Sequence, residues 1–113
     1  MAEKKIRAII CPVGKKPYLM DIADDLSVYQ SLVRGYIQIV SLYDTAYDNT
    51  KYLVVCNEEG LVQNLPLNCR ICGFPFFGRI LVVKENGEEF DSVEPDFLDR
   101  FMKNYWKKGE KDT

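Results

Sequence analysis

Amides, arginines and cysteines crowd the second half of the chain. Asn57, Glu58, Asn64, Asn68, Arg70 and Arg79 follow one another there, and Tyr36 stands upstream. An asparagine amide presents donors and an acceptor together, so it can read a base edge or hold a phosphate without carrying charge. Arginine supplies the positive end of such a site through a planar fork of donors, and an exposed tyrosine ring offers a surface for stacking. These residues form the candidate ligand-binding set. The competing account is local, because asparagine favours turns for backbone reasons alone.

Cys69-Arg70-Ile71-Cys72 has the two-residue spacing that lets both sulfurs reach one zinc ion or close a redox disulfide. A structural zinc needs two further ligands. The chain has no histidine, so these would have to be Cys11 and Cys56 or carboxylates. Both cysteines fall in apolar runs, where cysteine behaves as a small buried residue, and no metal or cofactor is expected. The missing histidine also removes Ser-His-Asp and Cys-His pairs and the commonest general base near neutral pH. Glu58-Glu59 and Asp24-Asp25 could serve acid/base chemistry, but a solvated turn for the first and a helix cap for the second account for them better. Gly14-Lys15 lacks the rest of a phosphate-loop pattern. No catalytic residue is assigned.

The elements that must position these groups follow from alternation and turn chemistry. Ile6 to Val13 is apolar on both faces, as in a central strand. Val13 to Pro17 reads as a turn, and Tyr18 to Ala23 as a second strand. Asp24-Asp25 can cap a short helix from Leu26 to Arg34, stopped by Gly35 in the left-handed conformation. Tyr36 to Tyr43 and Leu53 to Cys56 are strands, separated by a polar loop from Asp44 to Thr50. Asn57 to Gly60 makes a reversal in which Gly60 supplies a positive φ and Leu61-Val62 pair back. After Pro66 a turn or short helix is expected through Ile71. Arg79 to Val83 is a buried strand, and Asn86-Gly87 turns it back. A helix capped by Ser92 or Glu94 should carry Phe97, Leu98, Phe101, Tyr105 and Trp106 on one stripe as far as Lys108. The expectation is a single α+β domain over residues 1–108 with a frayed tail, 109–113. It has a mixed, mostly antiparallel sheet of about five to seven strands with both helices packed on one face.

Composition narrows the partners. Fifteen Lys and Arg against seventeen Asp and Glu leave a net charge of −2, which offers no long-range pull on DNA, RNA or an acidic membrane. No apolar run approaches the ~18 residues of a membrane span, and nothing resembles a signal peptide, so a cytoplasmic location with reduced cysteines is expected. The aromatics Tyr36, Tyr43, Tyr47, Tyr52, Phe74, Phe76 and Phe77 exceed what two short helices on one sheet readily hide. Some of them should line an interface or a ligand.

The order of pieces resembles a family known as domain of unknown function 3846. The resemblance is carried by Val33-Arg34-Gly35-Tyr36-Ile37-Gln38-Ile39-Val40, Cys56-Asn57-Glu58-Glu59-Gly60, Leu65-Pro66-Leu67-Asn68, Phe77-Gly78-Arg79-Ile80-Leu81-Val82-Val83 and a C-terminal helix. Where family members place Asn and Arg side by side, Cys69 separates Asn68 from Arg70. The resemblance implies an accessory protein of a bacteriophage or mobile element, acting in the host cytoplasm, and no established chemistry. Joined to the amide- and arginine-bearing turns, it leads to the expectation of a non-enzymatic, homo-oligomeric protein that counters host defence by sequestering a small nucleotide-type signal. The alternative is an inhibitor that grips a host defence enzyme through its aromatic surface.

Overall fold

The run Ile80-Leu81-Val82-Val83 is apolar on both sides of a strand and needs cover on both. The computed structural model describes residues 4–46 and 49–109 and puts this run in the middle of the main sheet. In chain order the elements are β1 (Lys5–Cys11), β2 (Tyr18–Ala23), α1 (Leu26–Val33), β3 (Ile37–Asp44), β4 (Thr50–Asn57), β5 (Leu67–Ile71), β6 (Phe74–Phe77), β7 (Ile80–Asn86), β8 (Glu89–Asp91), α2 (Phe97–Arg100), a π-helical turn over Phe101–Tyr105, and β9 (Trp106–Lys108). Among the described residues, six strands form one sheet in the order β2-β1-β7-β4-β3 with β8 beside β7, and β6-β5-β9 form a second. Each of these pairings is antiparallel. The class is α+β, as expected.

Strand alternation sorts the core into two layers. Ile6, Ala8 and Ile10 of β1, Leu53 and Val55 of β4, and Leu81 and Val83 of β7 meet Tyr29 and Val33 of α1 on one face. Their neighbours in sequence, Ile9, Cys11, Tyr52, Val54, Cys56, Ile80 and Val82, meet Cys69, Ile71 and Phe76 of the small sheet together with Phe97 and Phe101 on the other. The helices therefore do not share a face. One short helix covers the first side, and the small sheet with the second helical segment covers the second.

Local chemistry explains most boundaries. The Asp25 carboxylate accepts the Ser27 N–H at 3.0 Å and starts α1, while the Tyr29 hydroxyl donates to Asp24 at 2.5 Å. The left-handed residue closing α1 is Arg34, at φ 65°, and Gly35 is not in that conformation. No strand forms at Leu61-Val62, and the positive φ of that turn belongs to Asn64 at 56°, not to Gly60. Leu67–Ile71 is a strand, where a turn or helix was expected. Cys72 and Gly73 at φ 51° and 86° make the two-residue loop that returns it as β6; two successive positive φ values are what such a hairpin demands. Pro75 sits in β6, an edge strand, where a missing N–H is tolerated.

The C-terminal helix is shorter than its apolar stripe suggests. After four α-helical residues it widens into the π-helical turn, and Trp106–Lys108 pairs with β5. Neither Ser92 nor Glu94 caps it by side chain; the Ser92 hydroxyl accepts the Arg7 N–H at 2.8 Å. What fixes this segment is Asp44, fully buried at the end of β3 and not in a solvated loop. It accepts Arg100 Nε and the Tyr105 hydroxyl, each at 2.9 Å. The Phe97 ring lies flat on Tyr52 at 3.7 Å between centroids. Tyr47 and the tail from residue 110 on lie outside the described residues.

Replacing Asp44 with Ala leaves the Arg100 guanidinium and the Tyr105 hydroxyl without this buried acceptor. The expected loss is about 3 kcal/mol, read as a lower urea midpoint at unchanged slope, with Asp44→Asn losing less.

Candidate functional site

Two clefts flank the segment that leads from β4 to β5. The first, about 390 Å³, lies between the end of the main sheet and β6. Gln38 and Val40 of β3 and Cys56 of β4 line it from one side, Phe74 to Phe77 of β6 from the other, and Asn57, Glu58, Gly60 and Leu61 close its end. Leu61 and Phe74 are 68% and 70% exposed, so its walls are apolar and open to solvent. The second cleft, about 230 Å³, lies behind the same segment. Its walls are Pro12, Val13, Leu32, Val33, Leu65 and Pro66, with Gly78, and its charged residues are Arg34 and Arg79.

The candidate residues divide among six places. Glu58 faces the first cleft and Arg79 the second. Asn64 is exposed on the connecting segment, and Tyr36 is 72% exposed just before β3. Arg70 alternates with the buried Cys69 and Ile71, so it stands on the outer side of the small sheet, where its Nη1 reaches the Gly73 carbonyl at 3.4 Å. Asn57 and Asn68 are buried and turned inward. The structure does not gather the set around one ligand.

Asn57 is spent on the protein itself. Its Nδ2 donates to the carbonyls of Val33 at 3.0 Å and Arg34 at 3.1 Å and to Gln63 Oε1 at 3.2 Å, and its Oδ1 accepts the Glu59 N–H at 2.7 Å. One side chain thus satisfies the open carbonyls at the end of α1 and fixes the turn after β4. The approach is so close that a Cβ on Gly35 would lie 2.8 Å from Asn57 Nδ2, which is why glycine stands there. Asn68 plays the corresponding part between layers. Its Nδ2 donates to the Cys11 carbonyl at 2.7 Å and the Gly78 carbonyl at 2.8 Å. Arg79 adds a third cap, its Nε donating to the Leu32 carbonyl at 2.9 Å. Sequence reasoning missed Arg34, the second cation of the smaller cleft, because it read as the last residue of a helix.

The cysteines have separate fates. Cys11, Cys56 and Cys69 are buried and Cys72 is exposed in its hairpin. Burial pushes Cys56 up to about 11 and Cys69 up to about 12, the latter offset in part by the Trp106 indole. Cys11 is raised well above its ordinary value, first by burial and then by its neighbour Cys69. Among the described residues, no three His, Cys, Asp or Glu side chains come together as a metal site, and no helix is long and apolar enough to cross a membrane.

Fold and clefts together define a small α+β domain of two packed antiparallel sheets with an apolar cleft and a cationic one. The chain belongs to the family described as Domain of unknown function (DUF3846), whose model matches residues 6–106. No curated protein and no solved structure matches it.

Two measurements check this arrangement. Asn57→Asp keeps the shape but turns a carboxylate toward the carbonyls of Val33 and Arg34; unfolding in urea should show a loss of about 2 kcal/mol or more. Thiol titration of the native protein at about pH 8 should modify Cys72 alone, since a raised pKa leaves the other three as unreactive thiols, and all four should react once the chain is unfolded.

Proposed function

We propose that the protein is a non-enzymatic accessory protein of a phage or mobile element that counters host defence by binding and sequestering a small nucleotide-type signal. The phosphate end of the ligand is held at the cleft between the end of α1 and the Gly78 turn. The observation that supports this reading is the presence of Arg34 and Arg79 on one apolar cleft with no carboxylate among the described residues that line it. Two guanidinium groups provide directed donors for phosphate oxygens, and Lys15 and Lys16, exposed in the loop after β1, come one glycine after the lining residue Val13. A helix C-terminus ordinarily repels an anion. Here Asn57 and Arg79 cap the carbonyls of Leu32, Val33 and Arg34, which offsets that repulsion.

The volume fits phosphoryl groups and part of a sugar better than a whole nucleotide, so the base would extend past the rim toward the connecting segment, where Asn64 is exposed. The phage setting rests on the family resemblance. Assembly into a homo-oligomer belongs to the same proposal, supported by Tyr18 and Met20, which are exposed side by side on one face of the edge strand β2.

Calorimetry and native mass spectrometry against cyclic and ADP-ribose-type nucleotides test it, the mass spectrum also reading the oligomer. A member of the panel should bind, and Arg34→Ala with Arg79→Ala should weaken it about tenfold or more, as expected for the loss of charge-assisted hydrogen bonds. Binding by none of these nucleotides, or binding indifferent to both arginines, would remove the reading.

A further inference from the structure

The larger cleft differs from the smaller one in sign and in what borders it. Glu58 is the one charged residue among those lining it, Glu59 beside it is also exposed, and no salt bridge or side-chain hydrogen bond engages either carboxylate among the described residues. A phosphate-bearing ligand is disfavoured there, and a cation is favoured.

The border is a free strand edge. Among the described residues β3 ends the six-stranded sheet, paired with β4 on one side only. The Glu58 N–H donates to the Tyr36 carbonyl at 2.9 Å, which sets the phase of the ladder. In an antiparallel pair, bonded positions recur at every second residue, so Gln38, Val40 and Leu42 bond toward β4 while Ile37, Ile39 and Ser41 turn their N–H and C=O groups outward. Protein edges are commonly blunted by lysine, proline or an inward charge. Ile37 to Tyr43 contains none of these, the one inward charge of β3 being Asp44 at its far end, whereas the edge strand β6 carries Pro75 within it. Side chains of Gln38 and Val40 line the cleft, so a strand laid along this edge would direct alternate side chains into it.

We propose that β3 takes up an extended segment of a partner protein as an additional strand, with an apolar side chain entering the cleft beside Val40 and Phe77 and a lysine or arginine reaching Glu58. Two independent features select this occupant. A row of unpaired backbone groups is matched by another backbone and not by a compact small molecule. The carboxylate calls for a cation, which a second copy of β3 does not bring, since its own residues 37–44 include no lysine or arginine. The proposal does not involve the arginine cleft and stands or falls separately from the nucleotide reading.

The test uses the full chain and an array of seven-residue peptides in which apolar residues (Val, Leu, Phe) alternate with Lys, Thr or Glu. Binders should be enriched in lysine and depleted in glutamate. For the best of them, Glu58→Gln should lower affinity roughly threefold to fivefold, the scale of an exposed ion pair. Methylating alternate peptide amides should abolish binding without altering the protein, and saturating peptide should slow hydrogen exchange at the Ile37, Ile39 and Ser41 amides. An array with no binder overturns the proposal. So does enrichment of glutamate, unchanged exchange at those amides, or a dimer that protects them without any peptide.

Discussion

A six-stranded sheet that is apolar on both faces must be covered on both, and a chain of this length has little to do it with. The four consecutive residues Ile80 to Val83 are fully buried, two facing each way. At ~25 cal/mol per Å² of apolar surface, leaving either face open would cost more than the few kcal/mol of net stability that a small domain holds. The first cover is α1, eight residues long. The second is not another such helix, because only four of the nine residues in the last helical segment are α-helical before it widens into the π-helical turn. It is completed by β5, β6 and β9, which place Cys69, Ile71 and Phe76 against the sheet.

That division explains where the amides went. The chain must leave β4 at the edge of one layer, pass the end of α1 and enter β5 in the other layer. Along this path it meets carbonyls that no strand or helix satisfies: those of Leu32, Val33 and Arg34 at the helix end, and those of Cys11 and Gly78 between the sheets. An unpaired buried carbonyl costs about 1–3 kcal/mol, so several left open would offset most of what the second cover contributes. Asn57, Asn68 and Arg79 donate to these five groups. The residues that look most like a binding site in the sequence are in large part the fastening between two layers.

Strands with apolar or alternating patterns were legible: β1, β2, β3, β4 and β7 lie where their residues suggest, and Asp25 caps α1. What was not legible depends on contacts between residues distant in sequence. Trp106-Lys107-Lys108 continues a helical stripe and has no strand signal of its own; it becomes β9 because β5 offers it an edge. Asp44 read as the first residue of a polar loop, since nothing local announces that Arg100 and Tyr105, more than fifty residues later, will enclose it. The segment Leu67–Ile71 was obscured by Pro66, which bars a strand interior but not its beginning. Of the candidate site, chemical type was readable and direction was not. An asparagine that reads a ligand and one that closes a helix end have the same neighbours in sequence, and only the positions of the Val33 and Arg34 carbonyls separate them.

The same limit applies to charge. A net charge of −2 suggests a molecule indifferent to the sign of its partner, yet it averages over places that are not alike. At physiological ionic strength the field of an exposed charge fades over about 8 Å. A ligand entering a cleft therefore responds to the groups lining it and not to the total. On one side of the segment between β4 and β5 those groups are Arg34 and Arg79, and on the other Glu58. The path that forced the amides inward also parted the charges, because the guanidinium of Arg79 had to stand at the helix end to cap it, while the side chain of Glu58, just beyond the end of β4, was free to face solvent. Two surfaces of opposite preference are thus a consequence of joining two layers through one short connection, and selectivity at either need not be at the expense of the other.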